Sequence, residues 1–292
     1  MRRQLVDTVS KIIEKDSKTV LILCDIGING FRETFKNFPK RIYNIGVLEQ
    51  TTISLAAGLS LDGMIPIVHT IAPFLIERSY EQIKIDLCYQ ELGSNLISVG
   101  ASYDYAALGC THHCPADVNI VNEIPNTEII VPGHPKELDR LLSQSYNNNK
   151  TTYLRISSDT NKLSYDVNFK KNFIVKNGKK LLVIAVGPIL QTVLNAIGDL
   201  DVDIVYCTTV KPFDIETISH LQGKKTLIIE PYYNGAILNN IVRQKHDFFE
   251  KLRLIGVANN FINKYGTKHE IDEYLGLDEL SIRNAAIEFI NE

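Results

Sequence analysis

RIYNIGVLEQTTISLAAGLSLDGMIPIV, residues 41–68, holds a strand, a helix and the start of a second strand. NIGVLEQ (44–50) reads as a short β segment, a glycine and the first turn of a helix. LEQTTISLAAGLSLDG (48–63) has helical spacing and many small residues. PIVHTIA (66–72) is a continuous apolar run of strand length. A strand, a helix and a strand in this order form the unit of a parallel sheet, in which each crossover helix covers one face.

The same alternation extends in both directions. TVLILCD (19–25) precedes the stretch; NLISVGA (95–101), TEIIVPG (127–133) and TTYLRIS (151–157) come after it. Helical patterns at 74–90 and 135–148 lie between them. Residues 157–180 break the rhythm, being polar and rich in Asn and Lys, and read as a linker or irregular crossover. Alternation resumes with LLVIAVG (181–187), VDIVYCTTV (202–210), KTLIIEP (225–231) and LRLIGVA (252–258), separated by helices. The expected fold is α/β, with two consecutive parallel-sheet domains at 1–160 and 179–292 joined by a linker at 161–178.

The chain has 292 residues, 45% hydrophobic and 22% charged, with a net charge of −3. That balance fits a folded protein with a full core and argues against a dedicated nucleic-acid binder. The N-terminal segment reads as an amphipathic helix and not a signal peptide, and no apolar run is long enough to span a bilayer. Five scattered cysteines fit reduced thiols, so the expected compartment is the cytoplasm.

In parallel sheets, ligands bind beyond the carboxyl ends of the strands. Glu49 falls at such an end, in the first turn of its helix, where a carboxylate also simply complements the helix dipole. GCTHHC (109–114) falls at another. Its Cys110, His112, His113 and Cys114 are too crowded for a structural zinc site, which normally draws on two spaced pairs. The open choices for the histidines are a hydrogen-bonded loop anchor or a group presented to substrate. GxGxxG, Walker A and GxSxG motifs are absent, so a phosphate-binding glycine loop and a serine hydrolase are not supported.

Taken together, these segments resemble one family. RIYNIGVLEQTTISLAAGLSLDGMIPIV is similar to the region of transketolases and deoxyxylulose-phosphate synthases that carries an arginine, a G-[IV]-x-E-[QH] motif and a small-residue helix. TIAPFLIERSYEQIKID resembles their next strand and helix. LGCTHHCPADVNIVNEIPNTEIIVPGHPKEL resembles their G-x-T-H-[QH] loop, then an I-P-N strand and a P-x-x-x-E-L helix start. VKPFD, IIEPYYNGAI and KYGTKHEIDEYLGLD match their C-terminal domain, with Asn234–Gly235 in place of a paired glycine.

The resemblance implies a thiamine diphosphate pyrimidine-binding domain followed by a transketolase C-terminal-like domain. It covers only these two of the family's three domains, because the metal- and diphosphate-binding domain has no counterpart here. It therefore implies a split enzyme in which a separate N-terminal-half subunit holds the diphosphate and Mg²⁺ (or Ca²⁺), with no metal site on this chain. A homodimer within a two-plus-two heterotetramer is the implied assembly. The implied reaction is transfer of a two-carbon ketol unit between sugars or sugar phosphates.

By the same carry-over, Glu49 hydrogen-bonds a ring nitrogen of the cofactor's aminopyrimidine and so activates it. Phe74 stacks on that ring, and His112 faces the substrate oxygens. His69 and His113 are further substrate-facing candidates, and Tyr80 looks structural. Leu108 stands where the family usually has an acidic residue for a donor hydroxyl, which puts the common pentose-phosphate substrates in doubt. Two rival readings remain: the beta subunit of a 2-oxoacid dehydrogenase, whose loop is closer to HSQ than THH, and a non-catalytic partner-binding paralogue.

Overall fold

The computed structural model describes all 292 residues. Six strands come first: β1 (Thr19–Leu23), β2 (Ile42–Asn44), β3 (Ile65–Ile71), β4 (Ser94–Val99), β5 (Thr127–Ile130) and β6 (Thr151–Arg155). Six more follow: β7 (Phe173–Lys176), β8 (Leu182–Val186), β9 (Asp203–Cys207), β10 (Thr209–Lys211), β11 (Thr226–Tyr233) and β12 (Leu252–Val257). One sheet has the order β10-β5-β6-β4-β3-β1-β2 and the other β12-β11-β8-β9-β7. All pairings are parallel except β10 with β5 and β7 with β9.

β1, β4, β6, β8 and β9 are buried along their whole length, as parallel strands covered on both faces must be. The period-two geometry of β1 sends Leu21 and Leu23 into one apolar layer and Val20 and Ile22 into the other. The first layer runs from Leu5, Val9 and Ile13 through Ile97 and Leu154 to Val183 and Phe289. The second runs from Ile53 and Leu75 through Leu96 and Tyr153 to Ile184 and Ile241. Both layers are continuous across the two sheets.

Two strands depart from the expected arrangement. β7 lies inside the stretch read as a linker, where NFIVK is too short and too polar in its flanks to stand out. β10 belongs to the later part of the chain yet forms the edge of the first sheet, so β9 and β10, separated by a single residue, serve different sheets.

Residues 74–90, expected as one regular helix, contain wide turns. The Arg78 N–H donates to the Pro73 carbonyl at 3.1 Å, and the Leu92 N–H to the Leu87 carbonyl at 2.9 Å, both five residues back. The Ser79 hydroxyl donates to the Phe74 carbonyl at 3.2 Å and satisfies it within the first wide turn. No helix is long and apolar enough to cross a membrane.

Candidate active site

The functional candidates gather beyond the carboxyl ends of β1 to β4. After β2 the chain turns at Gly46, whose positive φ of 78° favours glycine, and the helix Glu49–Leu61 begins. Glu49 opens its first turn and is 2% exposed. Burying a carboxylate needs a partner, and Arg78 supplies it by donating from Nη1 to Oε2 at 2.8 Å. The carboxyl's other oxygen makes no hydrogen bond within the chain.

The Arg78 guanidinium also lies over the Phe74 ring, 4.3 Å from its centroid. The two residues are four apart, a spacing that places side chains together on one helical face. Phe74 in turn meets His112 edge-on, with ring centroids 5.5 Å apart. Tyr105 also meets His112 edge-on, with ring centroids 6.0 Å apart, and its hydroxyl accepts from Arg2. Glu49, Arg78, Phe74, His112, Tyr105 and Arg2 thus form one contiguous arc.

His112 is half-buried, and its Nδ1 lies 3.0 Å from the Thr111 hydroxyl. That contact leaves Nε2 as the ring nitrogen free to meet a ligand. His113 is placed differently. It is buried, neither ring nitrogen makes a hydrogen bond, and burial holds its pKa below the usual imidazole value. Cys110 is exposed whereas Cys114 is fully buried, and all five cysteines are free thiols. No group of three or more His, Cys, Asp or Glu side chains is arranged to hold a metal ion.

His69 is buried on β3, and its Nδ1 lies 2.9 Å from the Ile97 carbonyl. Burial pushes its pKa down to about 4, so the ring is neutral near pH 7. It shares a pocket of about 460 Å³ with Gly27, Phe31, Arg2 and Arg3. The adjoining pocket, about 370 Å³, is lined by Arg2, Arg3, Gly100, Tyr105 and Ser157. The structure therefore brings Glu49, Phe74 and His112 together, sets His69 beside the arc through Arg2, and withdraws His113. Tyr80 is half-exposed and Leu108 is 51% exposed on the loop before Gly109.

A sequence model of the transketolase pyrimidine-binding domain matches residues 1–161. The chain belongs to the transketolase family.

Its relatives extend the match over the whole length. It is 35% identical over 288 residues to an uncharacterized 33.6 kDa protein in the fasciation locus of Rhodococcoides fascians, covering 97% of this chain and 92% of that one. It is 25% identical over 267 residues to one of the subunits of the apulose-4-phosphate transketolase of Actinobacillus succinogenes, covering 86% of each. Among solved structures, a split-gene transketolase described as an inactive beta4 tetramer superposes with a TM-score of 0.85 at 21% identity. That superposition covers 99% of this chain and 97% of the other, so the two share a fold.

Three features of this transketolase half escaped the reading of its sequence. Arg78 is the arginine of the R-S-Y-E-Q segment, and its partnership with Glu49 depends on how the wide turn meets the next helix. Arg2 and Tyr105 are brought into the arc by packing alone. The third feature is a buried pair behind the site, in which Arg155 Nε donates to Asp117 Oδ2 at 2.7 Å. The Tyr153 hydroxyl donates to the same oxygen at 2.8 Å. Burial alone would lower the Arg155 pKa, but Asp117 reverses that and raises it.

Proposed function

We propose that this chain is the pyrimidine-binding subunit of a split, thiamine diphosphate-dependent enzyme that transfers a two-carbon ketol unit between sugars. The observation that carries the reading is the buried Glu49 at a helix start, with one carboxyl oxygen unpaired and linked through Arg78 to Phe74 and His112. A helix-dipole role alone does not require burial or an aromatic neighbour. These residues fit the aminopyrimidine of thiamine diphosphate: Glu49 offers an acceptor for a ring nitrogen and Phe74 a half-buried face for stacking.

When bound, that cofactor supplies a carbon nucleophile able to hold a ketol unit as a stabilised carbanion equivalent. The protein's tasks are then positional. Glu49 holds and exchanges a proton at the pyrimidine ring, while Arg78 compensates its charge and fixes the carboxylate plane. Phe74 and the apolar wall behind it exclude water from one side. His112 presents Nε2 to the oxygens of the sugar. Arg2 and Arg3 line the adjoining pockets and favour a substrate with an anionic group such as a phosphate. Leu108 offers no hydrogen bond to a donor hydroxyl, which favours a donor other than the common pentose phosphates.

The diphosphate and its Mg²⁺ (or Ca²⁺) fall to a separate N-terminal-half subunit in this reading. An exposed apolar surface supports a partner. Val47, Leu48, Leu55 and Leu61 lie exposed on or beside the Glu49–Leu61 helix. The neighbouring helical segment exposes Tyr80, Ile85 and Tyr89, the last 82% exposed, and the Ser54 hydroxyl ties the two by donating to Asp86 at 2.6 Å. Contiguous apolar patches of this kind mark protein interfaces. A two-plus-two heterotetramer built on a homodimer of this chain is the assembly we expect, in the reducing cytoplasm that five free thiols suit.

The test is co-purification with a diphosphate-binding subunit from the same genome, followed by a donor screen with thiamine diphosphate and Mg²⁺. Ketol transfer by the complex is expected, and decarboxylation of a 2-oxoacid in its place would favour the dehydrogenase-subunit alternative. Failure of any such subunit to associate would favour the non-catalytic alternative. Within the active complex, His112→Ala should lower kcat/KM for the donor by about 10²-fold, in line with loss of one polar contact to reacting oxygens. Unchanged kinetics would remove His112 from the site.

A further inference from the structure

We propose that the C-terminal part of the chain positions the His112 loop, with Tyr265 as the positioning residue at its apex. Gly109 is the pivot. Its φ of 70° and ψ of −161° are accessible in practice only to glycine. Its carbonyl accepts the backbone N–H groups of both His112, at 3.0 Å, and His113, at 3.2 Å. Whatever bears on Gly109 therefore bears on the peptide that aims His112.

Tyr265 bears on it directly. A Cβ at position 109 would lie 2.6 Å from Cε1 and 2.8 Å from both Cζ and the hydroxyl of Tyr265, so the ring occupies the space that glycine leaves open. The base of the loop is tied to the same part of the chain. The Tyr233 N–H donates to the Pro115 carbonyl at 2.8 Å, and the Ser102 hydroxyl donates to the Pro231 carbonyl, both on β11. Ser102 and Cys114 close the loop through a backbone hydrogen bond of 2.6 Å. The loop is thus fixed at both ends by β11 and touched at its apex by Tyr265.

Tyr265 is 72% exposed, so its ring adds little to the buried core. Removing it should leave global stability nearly unchanged while loosening the loop, which separates positioning from packing. The kinetic part of this proposal rests on the thiamine-dependent reading of the site; the structural part does not.

Hydrogen exchange of the isolated chain and steady-state kinetics of the assembled enzyme test it together. Tyr265→Ala should speed exchange of the 109–113 amides by about ten-fold with little change in melting temperature. It should also lower kcat/KM for the donor about ten-fold, mainly through KM, without weakening thiamine diphosphate binding. Tyr265→Phe should restore both, because the ring makes the contact. Leu280→Ala, a control on the final helix that is 68% exposed, should change neither. Unchanged exchange at 109–113 in Tyr265→Ala overturns the proposal, as does faster exchange with unaltered KM. A wild-type complex with no ketol transfer would defeat the functional reading while the exchange result still decides the contact.

Discussion

Replacing Glu49 with alanine is expected to abolish turnover by the proposed complex, a loss of about 10³-fold or more, while the chain folds and associates as before. The magnitude follows from the role. Glu49 is the buried carboxylate with a free oxygen in the arc, and in the proposed reading it is the group that holds the proton at the pyrimidine ring. Glutamine should fail nearly as completely, because it retains the shape and a hydrogen-bonding oxygen but cannot exchange that proton. The cost in stability should be small. Arg78, the partner left behind, has 41% of its side chain in solvent and can rehydrate. A helix-dipole role predicts the opposite pattern, with about 1 kcal/mol lost from folding and turnover untouched. Turnover and urea unfolding measured on the same variant separate the two.

The largest effect on stability is expected at Asp117. Asp117→Ala should cost about 3–5 kcal/mol, because it strands the Arg155 guanidinium, only 1% exposed, without its counter-charge. The Tyr153 hydroxyl loses one of its two partners and keeps the Ser98 hydroxyl, while Arg155 keeps the Ser102 hydroxyl, the Tyr232 ring 5.3 Å away and the more distant charge of Asp104. The paired substitution Asp117→Leu with Arg155→Met should recover much of the loss, since no uncompensated charge then stays buried. Urea midpoints of the three proteins check both statements. A loss below about 1 kcal/mol in the single variant would show that water from the adjoining pocket of about 280 Å³ hydrates Arg155.

The parallel architecture was legible because fully buried strands read as continuous apolar runs, as TVLIL and LVIAV do. β7 and β10 were not, since edge strands of three or four residues carry little periodicity and gain their place from pairing across long separations. In the site, Glu49 and the GCTHHC loop were visible through motif order. Phe74 was legible as part of a helical segment, but the wide turns of that segment were not, because a hydrogen bond closed five residues back leaves the apolar spacing close to that of an ordinary helix. His113 ranked below its neighbour as a substrate-facing candidate in sequence; the loop buries its ring and leaves that of His112 half-buried. The partners Arg78, Tyr105 and Tyr265 follow from packing between distant segments, which no local pattern encodes.

The account stands on this chain supplying half of a thiamine diphosphate site. Calorimetric titration of the cofactor with Mg²⁺ into the lone chain, the lone partner and the co-purified complex measures that directly. Saturable binding by the complex, with neither subunit alone binding comparably and Glu49→Ala weakening the interaction, is the predicted result. Tight binding by this chain without its partner, or a complex indifferent to the cofactor, would contradict it.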